Sequence, residues 1–213
     1  MYKLKYIGDV LKGKESKETK DKIEVVEGKK YSLYFLFDGE KNDKNANRAI
    51  AAASKFIKNN YSYYQNESLI DLKTLIVDAN RKVLELKLKE TGVGLTALCV
   101  PRKEEDRAFF ACVGKLAVYS LSYNQLKRIN NKNVEKILGR KDLKKNDVII
   151  MDIKNVKSPM FICNNGFMEI LLNKRKDVVK ILNQKDMLST RASMIRIMKA
   201  RNFSDLAYLF VRR

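Results

Sequence analysis

Four polar residues stand at the ends of apolar segments, and their order points to one kind of chemistry. Asp38 closes the run YSLYFLF in Phe37-Asp38-Gly39, and Asp21 opens the run IEVV. Asn165, in Asn164-Asn165-Gly166, follows MFIC, and Asp205, in Asn202-Phe203-Ser204-Asp205, precedes the last apolar run. Taken singly, each fits a plainer role: Asp38 an Asx turn, Asn165-Gly166 a hairpin or strand-end turn, Asp21 and Asp205 loop carboxylates. Strands of one sheet, however, can bring such ends together. Carboxylates gathered at one point repel unless they are protonated or bound to a hard cation such as Mg²⁺ or Mn²⁺. Two such ions about 4 Å apart can hold a bridging hydroxide and clamp a phosphoryl group.

Composition leaves that scheme open while closing others. The 213 residues include no histidine. This excludes a Ser-His-Asp triad, a Cys-His pair, a His-ligated zinc and a histidine general acid or base. Cys99, Cys112 and Cys163 each sit inside an apolar run (TALCV, FFACV, MFICN). An odd, widely spaced set reads as buried free thiols rather than a disulfide framework or zinc ribbon. The opening MYKLKYIGDV lacks the apolar core of a signal peptide, and no run approaches the ~20 apolar residues of a membrane span. The sequence therefore predicts a soluble, cytoplasmic protein with no membrane partner.

The formal charge is +19, from 44 Lys and Arg against 25 Asp and Glu. Clustered cations would suggest nucleic acid. Here they are spread along the chain, mostly as Lys among Asn (NKNVEK, KNDKNANR), with no Arg-rich tract, RNP-type motif or Cys/His finger. A solvated basic surface accounts for that distribution. The charge favours phosphorylated or acidic protein partners over basic ones, and nucleic acid stays a weaker alternative.

The elements that must position these residues follow from hydrophobic periodicity. Tyr2, Leu4 and Tyr6 alternate as in a strand, a polar loop follows, and IEVVEGKKYSLYFLFDGE reads as two strands joined at Gly28. YSLYFLF is nearly all apolar, as expected of a strand buried on both faces. A helix is expected from about Asp43 to Asn60, with Ala49, Ala52, Ala53, Phe56 and Ile57 on one side. A second is expected from about Ser68 to Glu90, striped by Leu69, Leu72, Leu75, Ile76, Ala79, Val83 and Leu86 and capped at Thr91-Gly92. Strands GLTALCVPR, RAFFACVGKL, LAVYSLSY and DVIIMDIK come next. SPMFICNNGFMEIL gives a strand, a tight turn and the start of a helix. Helices near Arg175 to Leu182 and Met187 to Arg201 precede the last strand, DLAYLFVRR. With no repeat or linker, residues 1–213 read as one α+β domain with segregated strands and helices.

The order of these motifs resembles the metal-dependent protein phosphatase 2C family across nearly the whole chain. Thr19-Lys20-Asp21 corresponds to the family's Asn-Glu-Asp, and Phe37-Asp38-Gly39-Glu40-Lys41-Asn42 to its Phe-Asp-Gly-His-Gly-Gly. Gly94-Leu95-Thr96-Ala97 resembles the Gly-Ser/Thr-Thr-Ala strand. The segment from Ala111 to Ala117 resembles Ala-Asn-Val-Gly-Asp-Ser-Arg, and that from Phe161 to Phe167 resembles Leu-Leu-Cys-Ser-Asp-Gly-Leu. Asp205-Leu206-Ala207 resembles the terminal Asp-Asn-Ala/Thr. The resemblance implies a four-layer α-β-β-α sandwich of two antiparallel sheets flanked by helices. It also implies Mn²⁺ or Mg²⁺ held by a bridging Asp38, the Gly39 carbonyl, and a second-metal pair at Asn165 and Asp205, with Asp21 nearby.

The departures fall on the chemistry. Asn165 supplies only a neutral oxygen where the family has Asp, and Lys20 and Lys115 stand where it has acids. Glu40 replaces the histidine after Asp-Gly and is an additional candidate ligand. The phosphate-binding Arg expected before Asp21 is absent, with Ser16 and Lys17 nearby, and the segment between Leu126 and Asp147 is short for the family's flap. A unit positive charge about 5 Å from a divalent ion is repelled by roughly 6–7 kcal/mol at an effective dielectric near 20. The expectation is a weak or incomplete metal site and a pseudophosphatase acting as a binding or regulatory module. The alternative is a divergent active Mn/Mg-dependent protein serine/threonine phosphatase.

Overall fold

A computed structural model describes residues 5–65, 70–102, 107–130, 135–154, 158–201 and 203–212. Tyr2, Leu4, Ser68, Leu69 and Asn202 lie outside the described residues. One sheet is built in the order β1 (Lys5–Leu11), β10 (Leu206–Arg212), β9 (Met160–Cys163), β6 (Ala117–Ser122), β7 (Gln125–Arg128). The other follows β2 (Asp21–Glu27), β3 (Tyr31–Gly39), β4 (Val93–Pro101), β5 (Arg107–Val113), β8 (Ile149–Lys154). Every pairing is antiparallel.

The alternation of side chains along the strands makes the layers. On β3, Leu33, Phe35 and Phe37 pack outward beneath helices α1 (Ala46–Asn60) and α2 (Leu72–Glu85). Tyr34 and Leu36 of the same strand face inward, against Val118, Ile162, Leu209 and Val211 of the other sheet. That sheet turns Phe161, Tyr208 and Phe210 outward onto α3 (Asn165–Leu182) and α4 (Met187–Ala200). The result is the expected helix-sheet-sheet-helix sandwich, and the fully apolar run YSLYFLF is buried on both faces because it is an inner strand between two layers. All three cysteines are buried and free, and burial pushes the Cys163 thiol well above its ordinary range. Among the described residues no helix is long and apolar enough to cross a membrane.

Several boundaries differ from expectation for local reasons. Helix α2 stops at Glu85 instead of running to Glu90, because Lys87 and Glu90 take left-handed φ values of 51° and 49°. Its start is fixed by Asp71, whose carboxylate accepts from the Thr74 amide at 3.0 Å, an N-cap worth about 1 kcal/mol. Thr91-Gly92 therefore caps no helix; the Gly92 amide donates to Asp43 at 3.0 Å. Strand β7 lies beyond the strand expected in LAVYSLSY. It joins β6 through Tyr123-Asn124, both at positive φ (47° and 58°), the twist a two-residue hairpin requires without its usual glycine. The helix start expected in NNGFMEIL and the helix expected near Arg175 to Leu182 are one helix, α3, broken at Lys174 (φ −130°, ψ 26°).

The start of α3 packs tightly on the chain entering β10, where a Cβ added to Gly166 would strike the Asp205 carbonyl and, at 2.8 Å, the Ser204 hydroxyl. Gly166→Ala is expected to cost about 1–3 kcal/mol by overpacking, read as a lower urea midpoint. An unchanged midpoint would contradict this close approach.

Candidate metal and anion site

Strand register brings the first two carboxylates together. In the β2–β3 ladder Asp21 is paired directly with Asp38, and directly opposed residues project from the same face. Asp38 lies two residues beyond Leu36, on the face that looks toward the other sheet. Asp205 has the parity of Ala207, which is packed between the sheets, and so meets the pair from the opposite side. Both Asp205 oxygens accept main-chain donors: Gly13 N to Oδ1 at 2.8 Å and Lys20 N to Oδ2 at 3.3 Å.

Asn164, rather than Asn165, reaches this cluster. Its Nδ2 donates to Asp21 Oδ2 and to the Asp205 carbonyl, each at 3.0 Å. Its Oδ1 accepts from Phe167 N at 3.0 Å, capping α3, and from Ala207 N at 3.1 Å. Both amide hydrogens and both oxygen lone pairs are thereby used. Strand parity explains the choice. Ile162 points between the sheets and Cys163 points outward, so the next inward position is 164. Asn165 is exposed and lines a separate cavity with Lys115, Tyr119, Arg128 and Arg175. The alternation in MFIC carries this signal, whereas the family motif points to Asn165.

The remaining candidates surround the pair. The Gly39 amide donates to the Lys20 carbonyl at 2.8 Å, and a Cβ on Gly39 would lie 2.7 Å from that oxygen, so only glycine allows this approach. The Lys20 ammonium donates to the Lys41 carbonyl at 2.6 Å. Glu40 is half exposed, with its carboxylate 3.9 Å from Arg140. Among the described residues no group of three or more His, Cys, Asp or Glu is arranged to hold a metal ion.

Burial of two carboxyls side by side decides their ionisation. Asp21 is pushed up to about 9, first by burial, then by the negative charge of Asp38 and by its own hydrogen bond to Asp38. Asp38 rises to about 6 through burial, held down by accepting that bond and raised again by Asp205 and Glu40. Without a cation the pair thus shares a proton at neutral pH, with Asp21 as donor.

No family model and no curated protein sequence matches the chain. Solved structures do. A serine/threonine phosphatase from S. agalactiae superposes with a TM-score of 0.82 at 14% identity, covering 99% of each chain. The serine/threonine phosphatase Stp1 from Staphylococcus aureus gives 0.78 at 14% identity, covering 100% of this chain and 95% of that one. The Mycobacterium tuberculosis serine/threonine phosphatase PstP/Ppp gives 0.72 at 15% identity, covering 98% of each. The chain has the protein phosphatase 2C-like fold.

The shared proton sets a pH dependence. Between the ordinary Asp range and the raised values, the folded chain holds more protons than the unfolded one, so this pair's contribution to stability falls as pH rises. In EDTA, Asp21→Asn is expected to raise Tm relative to the parent by more at pH 8 than at pH 5. The comparison cancels the chain's general charge repulsion. An equal shift at both pH values would contradict the shared proton.

Proposed function

We propose that the chain is a phosphatase-2C-like domain whose carboxylate cluster does not sustain a two-metal centre, and that it works as a binding or regulatory module. The observation that carries this reading is how Asp205 and Asn164 are used. Both Asp205 oxygens are turned to main-chain amides, and Asn164 offers Asp21 an amide hydrogen rather than a ligand. The Lys20 ammonium is turned to the Lys41 carbonyl, two residues past Gly39, and offers a cation no ligand. The residues a Mn²⁺ or Mg²⁺ ion would use are Asp38, the Gly39 carbonyl and Asp205, with Asp21 and Glu40 beside them. That set suits at most one weakly held ion. Asn165, exposed in another cavity, adds nothing to it. The basic surface makes a phosphorylated or acidic protein the partner of choice.

A second reading, a divergent active Mn/Mg-dependent serine/threonine phosphatase, draws on one observation. Asp38 and Asp205 both act electrostatically on Asp21, so three carboxylates do approach one another. Hydrolysis of p-nitrophenyl phosphate with and without millimolar Mn²⁺ separates the two. The pseudophosphatase reading expects turnover no higher than that of Asp38→Asn under both conditions. Mn²⁺-dependent release that Asp38→Asn abolishes would establish the second.

A further inference from the structure

Three elements deliver one cation each to the cavity beside the first turn of α3. Lys115 follows Gly114, whose φ of 84° turns the chain from β5 toward β6. Arg128 ends β7, and Arg175 comes immediately after the break in α3 at Lys174. All three line a cavity of about 390 Å³, together with Asn165 and Tyr119, and among the described residues the one acid on its wall is Glu169. Among the described residues Lys115 makes no hydrogen bond or ion pair, and Arg175 donates only to the Leu126 carbonyl. Burial and then Cys163 hold the Tyr119 phenol above its ordinary value, while Arg128 and Arg175, which line the same cavity, both favour its ionised form. None of Asp21, Asp38 or Asp205 touches this space.

Such a wall is complementary to a compact anion of high charge. Guanidinium forks match pairs of phosphate oxygens, an ammonium adds a point charge, and Asn165 supplies amide hydrogens. No metal is required. The rim is aliphatic: Leu172 is 84% exposed beside Leu171 and Met168. Arg175 also lines a second cavity of about 690 Å³, which carries Lys176 and Lys180. The basic surface therefore continues past the first cavity as a track.

We propose that the cavity between Lys115, Arg128 and Arg175 binds a phosphate monoester carried on a partner's polypeptide, with an apolar partner residue covering Leu172. This rests on the binding-module reading and gives it a site. The aliphatic rim favours a peptide over single-stranded nucleic acid, whose bases seek aromatic faces.

The test is fluorescence anisotropy in EDTA at 0.15 M salt, with a labelled peptide bearing phosphoserine followed by leucine, its unphosphorylated copy, and free phosphoserine as competitor. The phosphopeptide is expected to bind at least tenfold more tightly than either comparison molecule. Lys115→Glu and Arg175→Glu should each weaken it about tenfold, as loss of a charge-assisted contact does, and Leu172→Asp should weaken the peptide but not free phosphoserine. Lys55→Glu, an exposed change on α1 with the same alteration of net charge, should leave binding intact. Equal binding of the two peptides, equal loss in Lys55→Glu and Lys115→Glu, or equal displacement by a single-stranded oligonucleotide would each overturn the proposal. Failure of the module reading is separable: Mn²⁺-dependent hydrolysis would remove that reading, whereas indifference to Lys115→Glu would remove the pocket alone.

Discussion

Two carboxyl groups, Asp21 and Asp38, are fixed opposite each other by the β2–β3 register at the edge of the space between the sheets, Asp21 buried and Asp38 partly so. They cannot both stay ionised there without a compensating positive charge. The compensation must be a metal ion, a proton or a hydrogen-bond donor, and each option gives the protein a different chemistry. In this chain the surrounding groups supply protons and amides: Asn164 to Asp21, and Gly13 and Lys20 main-chain N–H groups to Asp205.

The same contacts hold the two halves of the sandwich in register. Through one side chain, Asn164 links β2 at Asp21, the entry to β10 at Asp205 and Ala207, and the first turn of α3 at Phe167. A group that satisfies four partners in a buried place rigidifies what it joins. A scaffold can keep such a keystone whether or not the neighbouring carboxylates still bind an ion, because a site and its fold can diverge separately.

Much of the architecture was legible in the sequence, since hydrophobic period and the order of apolar runs determine which layers can form. The doubly buried YSLYFLF strand and the strand ends bearing Asp21, Asp38 and Asp205 were accessible in this way. Failures came where a backbone angle, rather than a side-chain pattern, decided the outcome. Lys87 and Glu90 end α2 early at positive φ without a glycine, and Tyr123-Asn124 makes a hairpin without the Asn-Gly signal. In the site, motif alignment selected Asn165, whereas the strand's two-residue period places Asn164 inside. The basic cavity is not legible in the sequence, because Lys115, Arg128 and Arg175 are far apart in sequence and meet only after β5–β7 and α3 have packed.

The cation capacity of the carboxylate cluster is measured by calorimetric titration of the metal-free protein with Mn²⁺ at neutral pH. The expected result is no tight binding and a stoichiometry of at most one weakly held ion, lost in Asp38→Asn. Two ions bound per chain at micromolar concentration, both removed by Asp38→Asn, would contradict it.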